Sequence, residues 1–151
     1  YYDQMEESHE LLAFYGNEKI WDILAENPRT RDVVFGEQPE MLRFPCSTQS
    51  YTDIEGSGGN FNLSSSPEAL ADFFTFAGVD YIYLGSGYLK PGTDGFRNVT
   101  GLLKQGYLMD LLYENGNGLA VFSSDPKNLT EEESEALLAE FTEKYWPGEQ
   151  Q

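Results

Sequence analysis

Cysteine and histidine each occur once, as Cys46 and His9. A single thiol excludes an internal disulfide and any cysteine-rich zinc site. It leaves the redox compartment open, because a disulfide-free domain survives on either side of a membrane. Basic residues are scarce too: nine face 26 acids, and the formal net charge is -17. A surface this negative repels polyanions, which sets aside nucleic acid and anionic lipid headgroups as partners. Long apolar runs are missing as well. No stretch reaches the roughly 18 residues needed to cross a bilayer, and the opening YYDQMEESHE has neither the basic nor the apolar region of a signal peptide.

What is present is the material of a folded core. Hydrophobic residues make up 40% of the chain and aromatics 15%, whereas a disordered acidic chain is poor in aromatics. A length of 151 residues suits one domain that buries its core without disulfides or metal. The chain begins at Tyr1 rather than Met, so the expectation is a single soluble α/β domain, residues 1–151, excised from a longer membrane protein.

Periodicity and punctuation predict the elements. Over residues 2–27, Met5, Leu12, Tyr15, Ile20 and Leu24 form the stripe of an amphipathic helix, broken or kinked at Gly16-Asn17 and ended by Pro28. RDVVFG reads as a buried strand stopping at Gly36, QPEMLRFPC as a short helix, and STQSYTDI as an alternating second strand. Glycine, serine and asparagine fill residues 55–66, a surface loop. Ser66 then caps, Pro67 takes the first helical position and Glu68 complements the positive helix end, predicting a helix over 67–76 closed by Gly78. VDYIYL has no polar face and predicts a strand buried on both sides. After the loop LGSGYLKPGTDG, the stretch FRNVTGLLKQG reads as a short helix ended by Gly106. Two apolar runs, 107–114 and 119–123, flank a doubled Asn-Gly, which signals a hairpin; a helix is the competing reading of the first run. Thr130 and Glu133 stand at capping-box spacing before a last helix with Leu137, Leu138, Phe141 and Tyr145 on one face. Helices alternating with strands predict one three-layer α/β sandwich, with a mixed, mainly parallel sheet closing with a β-hairpin, and a C-terminal helix.

Chemistry is harder to find. The Gly85-Ser86-Gly87 turn follows a buried strand, as a phosphate-binding loop does, but such a loop passes straight into a helix whose free N–H groups face the anion. YLKPGTDG intervenes here, so the turn reads as a strand-ending corner, and it does not match a G-x-S-x-G elbow either. A Cys46–His9 pair is the one available thiol–imidazole couple, against the plainer reading of a buried apolar cysteine and a solvated helix histidine. With 26 acids some carboxylate pair arises by abundance, which carries no signal for glycoside cleavage. Asp53, Glu55, Ser57 and Gly58 fit the early positions of a calcium loop, yet Ser64 stands where a bidentate carboxylate belongs. The expectation is no catalytic residue, no cofactor and no metal site. Asn62, Asn98 and Asn128 each head an N-x-S/T triplet, a glycan acceptor in a eukaryotic secreted protein.

Four stretches, YYDQMEESHELLAFY, RDVVFG, ALADFFTFAGVDYIYL and LLKQGYLMDLLYENGNGLAVFS, together resemble the extracytoplasmic C-terminal domain of bacterial polytopic membrane glycosyltransferases and related YfhO-like membrane proteins. In that family the first stretch follows the last membrane span, and the domain closes with a leucine pair, a glycine, a strand, a turn and a last strand. The glycine-rich loop 55–66 and the acidic helix after Ser123 depart from this pattern. The family's essential acids sit between membrane spans, so the resemblance carries no catalytic residue over. It implies a noncatalytic accessory domain on the extracytoplasmic side of the cell membrane, partnered with the rest of a membrane-embedded chain and with carbohydrate or a lipid-linked sugar. The loop 85–96 would then supply the contacts, through Tyr88 and Phe96. The competing expectation is a secreted or cell-surface α/β module that binds carbohydrate or protein. A stand-alone hydrolase is disfavoured by the lack of a credible base.

Overall fold

In the computed structural model residues 18–36, 47–51, 66–114 and 116–145 are described. The helical stripe before residue 18, the expected helix within 37–46, the calcium-like pattern from Asp53 to Ser64, His9, Cys46, Asn62 and the tail all lie outside those residues.

The sheet has five strands: β1 (Arg31–Phe35), β2 (Ser47–Ser50), β3 (Tyr81–Leu84), β4 (Leu108–Glu114) and β5 (Asn117–Phe122), in the spatial order β2-β1-β3-β5-β4. β2, β1 and β3 are mutually parallel, β5 runs against β3, and β4 runs against β5, so β5 alone opposes the common direction. VDYIYL accordingly supplies the middle strand, where Ile82, Tyr83 and Leu84 are all buried. Alternation sends successive residues to opposite faces. Val33, Phe35, Ile82, Leu84, Ala120 and Phe122 join one core cluster, while Val34, Tyr83 and Leu119 join the other.

Helices cover both faces. α1 (Glu18–Glu26) packs Ile20, Trp21 and Leu24 on the second cluster. Its first N–H groups need acceptors, and the Glu114 carboxylate on β4 supplies them, at 3.0 and 3.1 Å from Lys19 N and 3.3 Å from Ile20 N. α2 (Pro67–Ala77), α3 (Asp94–Lys104) and α4 (Glu131–Tyr145) pack on the first cluster, which completes the three layers. None of the helices among the described residues is long and apolar enough to cross a membrane.

The helix ends follow their local signals. Ser66 Oγ accepts from Ala69 N at 3.1 Å, Pro67 sits in the first turn of α2, and Gly78 closes it at φ +70°. Thr130 and Glu133 form a reciprocal capping box at the start of α4, at 3.1 and 3.2 Å. α3 starts at Asp94, two residues before the expected Phe96, because Thr93 Oγ1 accepts from Phe96 N and makes TDG a helix entrance rather than loop. Gly101 in α3 lets two helices meet: a β-carbon there would lie 2.2 Å from Pro67 Cγ on α2.

β4 and β5 form the expected hairpin, with β5 starting at Asn117 rather than at the expected Leu119, and the competing helical reading of the first run is set aside. The second residue of its turn, Gly116, has φ +83°, and a β-carbon at that position would also press to 2.9 Å from Ser86 Oγ. Between Met109 and Leu112 the register slips, with Asp110 at φ +49°, a bulge that twists the sheet's edge.

Candidate functional site

Parallel strands β2, β1 and β3 end side by side at Ser50, Phe35 and Leu84. In open α/β sheets ligands bind beyond the carboxyl ends of such strands, where neighbouring connections leave in opposite directions. The Gly85-Ser86-Gly87 turn leaves β3 at this point. Its backbone is already occupied: Gly85 N donates to Phe35 O at 2.8 Å and Tyr88 N to Gly85 O at 3.2 Å. Ser86 N donates to Asn117 Oδ1 at 2.8 Å, and Leu89 N to the Tyr145 hydroxyl at 3.0 Å. That hydroxyl in turn donates to Gly85 O. A phosphate cradle requires free amides, and these four are spent on the fold. The turn is a corner, locked from below by β5 and from the side by α4.

Beside the corner lies a cleft of about 240 Å³ lined by Tyr51, Tyr88, Leu89, Thr93 and Gly95. Each wall has a local cause. Tyr51 follows β2 directly, stacks on Phe35 with ring centroids 4.3 Å apart, and accepts a 3.0 Å hydrogen bond from Asn98 Nδ2 through its hydroxyl. Gly95 keeps the first turn of α3 close: a β-carbon there would touch Leu89 and Tyr51 at 3.3 Å each. Thr93 serves the helix entrance, its hydroxyl also donating to Lys90 O at 2.7 Å. Neither carboxylate, imidazole nor amine is among these lining side chains. Tyr51 is buried beneath the cleft, so what the cleft exposes is the half-buried Tyr88 ring and Thr93, an uncharged surface that suits a neutral polyhydroxy ring better than an ion.

The two expected contact residues part company. Tyr88 is half-buried and lines the cleft. Phe96 is half-buried but packs toward α4, its ring 6.2 Å from that of Phe141, and is not among the residues lining the cleft. Tyr51 and Thr93 escaped the sequence reading. Thr93 had a signal, since T-D-G-F places a capping residue three before Phe96; Tyr51, 42 residues earlier, had none.

Asn98 is buried in α3 and bound to Tyr51, so its triplet is no glycan acceptor in the folded chain; Asn128 is exposed just before α4. Compared with protein-family models, curated proteins and solved structures, the chain matches none.

Proposed function

We propose that this chain is a noncatalytic extracytoplasmic accessory domain of a membrane protein, a glycosyltransferase that uses a lipid-linked sugar donor, and that it presents the Tyr51–Tyr88 cleft to a sugar ring. The observation that carries the reading is the uncharged lining, with the half-buried Tyr88 ring and Thr93 accessible, at the carboxyl ends of the parallel strands. Its volume, about 240 Å³, lies just below the roughly 300 Å³ at which pockets for drug-sized ligands begin, which suits a single ring. The occupied amides of the neighbouring corner and the charge of -17 both turn the contact away from the phosphate of such a donor.

Amide shifts in the 151-residue chain test this. Neutral monosaccharides and disaccharides should move Tyr88, Leu89 and Thr93 saturably, and Thr93→Val should weaken the response. Saturable shifts centred on Ser86 and Gly87 with polyprenyl-phosphate headgroup analogues, or no response to any sugar, would overturn the reading. The coding sequence upstream of Tyr1 tests the anchoring: several apolar spans support it, whereas a signal peptide gives the secreted binding module instead.

A further inference from the structure

A second concavity lies at the opposite edge of the sheet, along β4. It is a groove of about 320 Å³, walled by Leu108, Met109 and Leu111 on the strand and by Leu129 and Leu137 on the α4 side. A hollow of about 260 Å³ continues it toward Glu133 and Ala136, sharing Leu129 and Leu137. The groove exists because α4 leans on the sheet through one half only. Phe141 and Tyr145 are buried, whereas no residue before Phe141 in this helix is. Ser134 Oγ, donating to Lys104 O at 2.9 Å, holds the leading half against the end of α3 and leaves Leu137 above an open trough.

Charge decides what fits. Asp110 and Glu140 stand on the groove and Glu133 on its continuation, while Lys127 is the base among the lining residues and Lys144 meets Glu140 from the outside in an exposed 3.4 Å pair that solvent keeps weak. Glu140 reaches the sheet side as well: after burial, its negative charge is what pushes the Tyr113 phenol above its ordinary ionisation range. Lys127 sits at the Gly106 end, its N–H donating to Gly106 O at 2.9 Å, which gives the groove a polarity along β4. A second copy of a chain with net charge -17 would bring acid against acid. The bulge at Asp110 interrupts the edge, so recognition falls to side chains rather than to an added strand.

We propose that this groove docks a short basic and aliphatic segment of a partner protein, one aliphatic side chain entering between Leu108, Leu129 and Leu137 and a Lys or Arg reaching Asp110 and Glu140. This stands independently of the sugar cleft. The probes are three synthetic peptides: alternating Leu and Arg, alternating Leu and Glu, and alternating Ser and Arg. Only the Leu-Arg peptide should produce saturable amide shifts at Leu108, Leu111, Leu137 and Glu140. Leu137→Gln and Glu140→Gln, both at side chains that are only half-buried, should each weaken it by roughly tenfold with little change in melting temperature, because the Glu140–Lys144 pair that the second variant loses is solvent-exposed. An equal response to the Ser-Arg peptide would reduce the effect to diffuse charge and overturn the proposal. So would self-association abolished by Leu137→Gln, which would make a second copy the occupant, or the absence of any saturable shift.

Discussion

Replacing Tyr145 by phenylalanine removes one oxygen atom and tests whether the corner after β3 is held from α4. The hydroxyl accepts from Leu89 N at 3.0 Å and donates to Gly85 O, and both residues are buried. The ring itself has other support, stacked on Phe141 with centroids 5.0 Å apart, so the variant should keep its position. Two groups then lose a partner, but not equally. Gly85 O still accepts from Tyr88 N, so it forfeits one bond of two, worth about 0.5–1.5 kcal/mol. Leu89 N–H is left buried and unpaired, at about 1–3 kcal/mol. Because the removed hydroxyl no longer has to be desolvated, the expected loss falls in the lower part of the sum, about 1.5–3 kcal/mol. For a chain of this length that lowers the melting temperature by roughly 3–12 °C. Urea unfolding followed by circular dichroism should shift its midpoint with an unchanged m-value, and exchange of the Leu89 amide should accelerate. A loss under about 0.5 kcal/mol, or an unaltered Leu89 exchange rate, would refute the reasoning and return the corner to its own local turn geometry.

Tyr113→Phe should act with the opposite sign: its hydroxyl is buried with no hydrogen-bond partner among the described residues, so deletion should leave stability unchanged or raise it by up to about 1–2 kcal/mol in the same urea assay. A clear destabilisation would mean that the hydroxyl has a partner. Ile82→Ala, at the fully buried centre of β3, should cost about 2–5 kcal/mol through lost burial and the cavity left behind; melting like the parent would remove β3 from the core. Acid should loosen α4 through its capping box. Hydrogen bonds from the Thr130 backbone and then its side chain hold the Glu133 carboxyl below its ordinary value, so the folded state favours the charged form. That contribution is complete above the unfolded value of about 4.3 and fades as the pH falls through the folded one. Glu133→Gln should therefore flatten the acid limb of a stability-against-pH profile, and an unchanged limb would show that the box adds nothing.

The features legible in the sequence are those whose cause is local. Ser66, Pro67 and Gly78 define α2, Thr130 and Glu133 start α4, and the Asn-Gly turn joins two strands, because each depends on backbone groups a few residues away. What stayed hidden depends on distant partners. β5 inserts between β3 and β4, an order that no local pattern specifies. Glu114 caps a helix 95 residues earlier in the chain. Asp110 looks like an ordinary strand residue until its pairing with β5 slips. Asn98 reads as a surface triplet but is buried against Tyr51, whose ring also closes the cleft. The half of the candidate site contributed by Tyr51 was therefore out of reach, while Tyr88 was visible because it follows the one strand with no polar face.

Ionic strength separates the two concavities. Among the described residues the cleft beside Tyr88 is lined by no carboxylate, amine or imidazole, so a neutral sugar bound there by stacking on Tyr88 has no charge for salt to screen. The groove along β4 relies on Asp110 and Glu140, and Asp110 is exposed, so its attraction for a basic segment acts through solvent and weakens once the Debye length falls to about 3 Å near molar salt. Aliphatic burial against Leu108 and Leu137 persists under the same conditions. Sugar-induced shifts at Thr93 should therefore coincide at low and high salt, whereas binding of the Leu-Arg peptide should weaken with salt without vanishing. A sugar response that disappears at high salt would place charge in the cleft. A peptide response that vanishes completely would mean that no aliphatic side chain enters the groove, and a salt-independent one would take Asp110 and Glu140 out of the contact.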